Sequence, residues 1–158
     1  MYKVSLAIPI YNVSLFVERA LLSVLNQTYD NIEYLIVDDK GQDDSMDIVH
    51  RIIKDHPRGK DVRIIEHPYN IGLGATRNTA IDNAQGEYLF FMDSDDEIIP
   101  TCIEILVHKM QEHPVDFIAA SHMKKDLSGK TYPTYTYSPI LIQGDDLPVA
   151  QYRYAQNN

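Results

Sequence analysis

Short apolar runs alternate along this chain with stretches in which apolar residues recur every three or four positions, the two periods of strand and helix. "KVSLAIPI" reads as a first strand. "SLFVERALLSVLNQ" follows as a helix with Val17, Leu21, Val24 and Leu25 on one face, Ser14 as its N-cap and Glu18 in the first turn. Next come a strand, "EYLIVDD", and a helix, "SMDIVHRIIKDH", with Ile48, Val49, Ile52 and Ile53 on its apolar side. "DVRIIEH" is a third strand and "GLGATRNTAIDNA" a third helix, which Gly86 is placed to cap. "EYLFFMD" and "PTCIEILVHKMQEH" repeat the unit, Pro100 suiting a first helical position, and "VDFIAAS" makes a fifth strand.

This rhythm predicts an α/β fold: a mostly parallel sheet joined by right-handed crossovers and flanked by helices. Ligands of such sheets collect outside the carboxyl ends of the strands. Asp38 and Asp39 close the second strand, and Asp93 and Asp95 close the fourth, so both acidic pairs are expected on one rim. Beyond about residue 124 the rhythm stops. The remainder is rich in tyrosine and punctuated by Pro133, Pro139 and Pro148; a hairpin across "TYPTYTYSPI" or a packing arm are the readings it allows.

At 158 residues, 44% hydrophobic and 23% charged, the chain is long enough for one ordinary globular domain without staples. Its net charge of −9, spread along the chain, argues against nucleic acid as a partner but not against a small phosphate ligand. Cys102 is the single cysteine, which excludes an intrachain disulfide and fits a reducing, cytoplasmic setting; a core thiol is its expected role. No apolar run approaches the roughly 18 residues of a transmembrane span, and the start lacks a cleavage site for a signal peptide.

Chemistry concentrates in two turns. In "MDSDDE" the carboxylates of Asp93, Asp95 and Asp96 crowd where a strand leaves the core. Like charges so close repel, and hard oxygen donors suit Mg²⁺ or Mn²⁺; short acidic turns are also common without function. In "NIGLGATRN", Gly72 and Gly74 permit close backbone approach before a helix N-terminus, and Arg77 is a fixed cation one turn further on. The plain alternative is a strand-to-helix turn with Arg77 paired to a surface acid.

Together "LAIPIYN", "YLIVDD", "NIGLGATRN" and "GEYLFFMDSDD", in this order, resemble the family 2 glycosyltransferases, whose nucleotide-binding half has the GT-A (Rossmann-like) fold. The resemblance covers residues 1–122, the nucleotide-sugar-binding core. Residues 123–158 then read as the start of an acceptor-side segment, in a chain expected to be truncated. The resemblance implies an inverting transferase in polysaccharide biosynthesis that uses Mn²⁺ or Mg²⁺, a nucleotide-sugar donor, commonly a UDP-sugar, and a glycan or lipid-linked acceptor. It implies work in the cytoplasm, with the inner face of the membrane as an option. It places Pro9 and Tyr11 beside the nucleobase, Asp39 as acceptor of a base N–H with Asp38 as its neighbour, and Gly74 and Arg77 near the diphosphate. Asp93 falls at the ribose or the metal, and Asp95 is the direct metal ligand.

Two departures stand out. Where the family continues from the second strand with Gly-Ser-Thr-Asp, this chain has "KGQDDS", so Lys40 and a shifted Gly41 alter the base-side loop. A general base beyond the acidic turn is not evident; Asp145 and Asp146 in "QGDDLP" are the late acids available, with a turn before Pro148 as their plain reading. A domain that binds a nucleotide sugar without turnover is therefore the rival reading. A phospho-acceptor receiver leaves the glycine turn unexplained, and a dinucleotide fold needs its glycines after the first strand instead of the third. The six histidines read as solvated positions with no metal set. Tyr132, Tyr135 and Tyr137 either stack on an acceptor or cover a sheet edge, and the tail offers a surface for a partner subunit in a homo-oligomer.

Overall fold

The computed structural model describes residues 1–126 and 128–135. Its first compact unit, Met1–Pro114, runs β1 (Val4–Ile10), α1 (Val17–Leu25), β2 (Ile32–Asp38), α2 (Ser45–Asp55), a short 3-10 turn, β3 (Val62–Glu66), α3 (Leu73–Asn83), β4 (Tyr88–Phe91) and α4 (Cys102–Glu112). All pairings are parallel in the order β3-β2-β1-β4. The chain adds strands outward from β1 to β3 and then returns to the other side of β1, so a topological switch point lies between β1 and β4.

The central strands are apolar on both faces, as strands covered on both sides must be. Val4, Leu6, Ile8 and Ile10 of β1 join Ile32, Tyr34 and Ile36 of β2 in the larger core, with residues of α1, α2 and α4. The alternate positions, Ala7, Leu35 and Val37, meet Ala80 of α3 in a smaller core. On α1, Val17, Leu21, Val24 and Leu25 are fully buried, each contributing about 1.5–3 kcal/mol of hydrophobic stabilisation. The grip of α3 is thinner, since Thr76 and Ala80 are its buried side chains.

Pro9 lies in a strand with neighbours on both sides, an unusual place for a residue without an N–H. The β1–β4 pairing ends at Ala7 and Phe91, with one further bond from Met92 N–H to Ala7 O at 3.0 Å. Pro9 therefore faces the level at which β4 has already left the ladder, and no ladder bond is lost.

Local details differ from the sequence-based expectations. Ser14 does not cap α1, whose N-cap position is Phe16; the Ser14 N–H instead donates to Asp43. Gly86 is not a left-handed cap: α3 ends at Ala84 in extended backbone, and a Cβ on Gly86 would lie 2.6 Å from Ser5 N. Its absent side chain lets the chain pass against β1. Pro100 precedes the N-cap Thr101 instead of opening α4. "VDFIAAS" forms no strand, and Phe117 is exposed.

The described residues from Val115 onward belong to a second unit. Here β5 (His122–Lys125) and β6 (Thr131–Tyr135) pair antiparallel. Asp126 organises the bend of this hairpin, and the stretch "TYPTYTYSPI" runs on past Tyr135 outside the described residues. The Asp126 carboxylate accepts from the N–H groups of Ser128 and Lys130 at 2.9 and 3.1 Å, while Gly129 takes φ +85°. Asp145, Asp146 and Tyr137 lie outside the described residues.

Candidate functional site

Because the strands are parallel, the segments that follow β1, β2, β3 and β4 emerge on one rim, where both acidic clusters sit as expected. The loops after β1 and β2 are clasped together. Asn12, at φ +51°, accepts from Gln42 N–H at 2.7 Å, and a Cβ on Gly41 would lie 2.8 Å from Asn12 N. Ser45 Oγ accepts from Val13 N–H at 2.8 Å, and Asp43 accepts from Ser14 N–H at 2.8 Å. Burial alone would raise the Asp43 carboxyl, but hydrogen bonds from Ser45 and Ser14 outweigh it and hold the group below its usual range. The "KGQDDS" departure is thus an ordered loop, built on the close approach that Gly41 allows.

Asp38 and Asp39 are both buried. Asp38 accepts from Lys40 N–H at 2.8 Å and pairs with Lys40 Nζ at 3.3 Å; Lys40, at φ +55°, also reaches Glu66 at 2.7 Å. Asp39 is more heavily engaged. Oδ1 meets His67 Nδ1 at 2.8 Å and accepts from Ile71 N–H at 2.9 Å; Oδ2 accepts from Gly72 N–H at 2.9 Å and the Asn70 amide at 2.7 Å. Burial pushes this carboxyl up, yet the His67 hydrogen bond and the two backbone donors together hold it below the ordinary aspartate value. Four contacts use the roughly four lone-pair sites of a carboxylate. A further donor reaching Asp39 has to take the place of one of these four, and Asn70, which supplies one of them, is an exposed residue.

Gly72 has φ +88°, a conformation that side chains resist, and turns the chain into α3. At Gly74, in the first helical turn, an added Cβ would meet no atom within 4 Å apart from its chain neighbours and its own helix backbone, so that face is open. Arg77, one turn on, donates from Nη2 to Asp93 Oδ1 at 2.7 Å, both side chains half exposed. Its Nε is buried without an acceptor among the described residues.

The acidic turn is tight, with Asp96 N–H donating to Asp93 O at 3.1 Å, and Asp93, Asp95 and Asp96 are exposed around a buried Ser94. Its exit is tied to α1. Ile98 N–H donates to Ser23 Oγ at 3.2 Å. The buried Gln27 donates to Ile99 O at 2.8 Å and accepts from Ile103 N–H at 3.0 Å. Among the described residues no three acids, histidines or cysteines are grouped to cage a metal. One or two carboxylates facing solvent suit a cation that keeps phosphate and water in its shell.

The rim brings Pro9, Tyr11, Asp38, Asp39, Gly74, Arg77, Asp93 and Asp95 to one side of the sheet, with Tyr11 half exposed at the end of β1. Sequence reasoning missed Asn12, His67, Asn70 and Gln27, and marked Gly41 as a departure without finding its close approach to Asn12. For His67 and Asn70 the available signal was their place in "EHPYN", directly after a strand that ends level with Asp38.

Comparison with known proteins bears on this arrangement. A family model described as "Glycosyl transferase family 2" matches residues 5–152. An uncharacterized glycosyltransferase of Haemophilus influenzae is 32% identical over 92% of the chain. The Escherichia coli UDP-Glc:alpha-D-GlcNAc-diphosphoundecaprenol beta-1,3-glucosyltransferase WfaP is 37% identical over 80%, and the Campylobacter jejuni GalNAc(5)-diNAcBac-PP-undecaprenol beta-1,3-glucosyltransferase is 31% identical over 71%. The chain spans 59%, 49% and 36% of these three relatives, in that order. Among solved structures, S. aureus TarS 1–349 in complex with UDP superimposes with a TM-score of 0.66 at 26% identity, covering 84% of this chain and 38% of that one. For fold alone, the Pyrobaculum calidifontis mannosyltransferase PcManGT, in complex with GDP-Man and Mn²⁺, gives 0.66 at 24% identity over 72% of this chain and 34% of its own. Sheet order, rim and relatives agree: the chain belongs to glycosyl transferase family 2 and has the GT-A fold.

Proposed function

We propose that this chain forms the donor-binding part of an inverting, metal-dependent glycosyltransferase that takes a UDP-sugar and serves a glycan or lipid-linked acceptor in polysaccharide biosynthesis. The observation that carries the reading is the Arg77–Asp93 contact at 2.7 Å. It joins the glycine turn after β3 to the acidic turn after β4, so a cation for phosphate and carboxylates for a metal meet beside the switch point. Support for the donor comes from the UDP of the TarS complex and the UDP-Glc of the E. coli relative; support for a lipid-linked acceptor comes from the undecaprenol in the names of two relatives.

In this reading the base lies against the exposed Tyr11 ring and Pro9, and its N–H takes the place of the Asn70 amide on Asp39, while Asp38 holds Lys40 aside. Arg77 exchanges Asp93 for the diphosphate, and the open face at Gly74 admits it. Asp95 and Asp93 would hold Mg²⁺ or Mn²⁺, which would supply positive charge against the departing diphosphate. The acceptor oxygen bonds to the anomeric carbon as the bond from that carbon to the diphosphate oxygen breaks, and the acceptor proton passes to a carboxylate base. Asp145 and Asp146 are the candidates for that base.

Calorimetric titration with UDP and GDP, with and without Mn²⁺, tests the donor site beside Asp95→Ala. The expected outcome is Mn²⁺-dependent binding of UDP that the variant loses. Mn²⁺-dependent affinity unchanged in Asp95→Ala overturns the metal assignment, and binding without sugar transfer or hydrolysis favours a domain that holds its donor without turnover.

A further inference from the structure

His67 is the one buried histidine among the described residues, and the chemistry above leaves it without a task. It sits just past β3, where its N–H donates to Asp38 O at 2.9 Å. Its ring spans two elements. Nδ1 lies 2.8 Å from Asp39 Oδ1 at the end of β2, and Nε2 lies 2.9 Å from Thr79 Oγ1 on α3. Thr79 stands two residues beyond Arg77, and the Thr79 hydroxyl is further oriented by Ala75 O at 3.1 Å.

That span matters because α3 has so little else on this side. Its buried side chains are the small Thr76 and Ala80, and its far end is fastened by Arg63 to Asn83 O. Small buried side chains give α3 few interlocking contacts to set its height on the sheet, and the His67–Thr79 bond is a polar tie placed midway along it. Arg77 stands near the N-terminal end, and a shift of α3 there carries the guanidinium away from Asp93.

We infer that His67 is a positioning residue for Arg77: through Asp39 it holds the Gly72 turn, and through Thr79 it fixes the setting of α3 that points the guanidinium across the rim. The inference rests on the donor-site reading for its consequence in binding, but the positioning itself is a property of the ligand-free protein.

Thr79→Val, nearly isosteric, removes the hydroxyl and keeps the packing; His67→Ala removes both ends of the tie, and His67→Gln restores a donor near the Nε2 position. Two quantities are read: the ratio of UDP to uridine affinity in Mn²⁺, and the Arg77 side-chain Nε–H signal by NMR without ligand. Thr79→Val is expected to lower UDP affinity roughly tenfold, about one weakened charge-assisted contact, with uridine affinity held and the Arg77 signal shifted. His67→Ala is expected to do the same or more, and His67→Gln to recover part of the loss. An unchanged ratio and an unchanged Arg77 signal in Thr79→Val and His67→Ala overturn the inference. Absence of UDP and uridine binding by the unaltered chain overturns the donor-site reading instead, and the ligand-free Arg77 signal still decides the role of His67.

Discussion

The two acidic clusters on the rim are alike on paper and opposite in the fold. Asp39 is buried and its carboxylate meets four partners, while Asp93, Asp95 and Asp96 stand exposed around a short turn. The first spends its charge inside the protein, ordering the turn that starts α3. The second keeps its charge outward, countered in part by Arg77. Acids on one rim therefore differ according to the donors the backbone brings to them: the Asp39 carboxylate is occupied by four protein partners, whereas the Asp93 and Asp95 side chains face solvent.

The contrast breaks most sharply under substitution. Asp39→Ala leaves His67, Asn70 and two backbone N–H groups without their acceptor, and should cost about 3–5 kcal/mol of stability by urea unfolding. Arg77→Ala touches a half-exposed pair of little structural worth, yet should weaken UDP by about 10–100-fold and uridine hardly at all, measured by titration; equal losses would move Arg77 to the base or to structure. Acid separates the clusters more gently. Asp39 and Asp43 have folded values below the ordinary carboxylate value of about 3.9. Their contribution is present above that value and is lost as pH falls through the folded values. Urea midpoints should drop below about pH 4, and Asp39→Ala should drop less over the same window. The smallest effect belongs to Asp95→Ala, whose stability should stay within about 0.5 kcal/mol of the parent; a larger change would mean that the outward cluster is also structural.

The alternation of elements through α4 was legible because α1, α2 and α4 each bury one apolar side and the central strands β1 and β2 are buried on both faces, while α3, with only Thr76 and Ala80 buried, was marked by its glycine turn. The shared rim followed from parallel topology, since Asp39 and Asp93 both trail strands. What was not legible depends on contacts distant in sequence. Gly86 looked like a helix cap, and only its position against Ser5 shows that it is a close approach. "VDFIAAS" is apolar enough for a strand, but the pairing further along is set by the Asp126 turn, which places β5 later, in exposed residues. His67 was read among solvated histidines because its partners, Asp39 and Thr79, lie 28 and 12 residues away. Conversely, Asp39 was legible as a site residue but not as one already saturated, because its donors come from the loop after a different strand.

Gln27 carries a consequence for the order in which this unit assembles. It reaches across 72 residues to Ile99 and 76 to Ile103, whereas β1 and β2 pair after a crossover of ordinary length. Closing so long a loop is entropically slower than closing a short one. The seat of the acidic turn's exit therefore depends on a contact between distant parts of the chain, and a nascent chain that has not yet released α4 has its first two strands but lacks the Ile103 N–H that Gln27 accepts from.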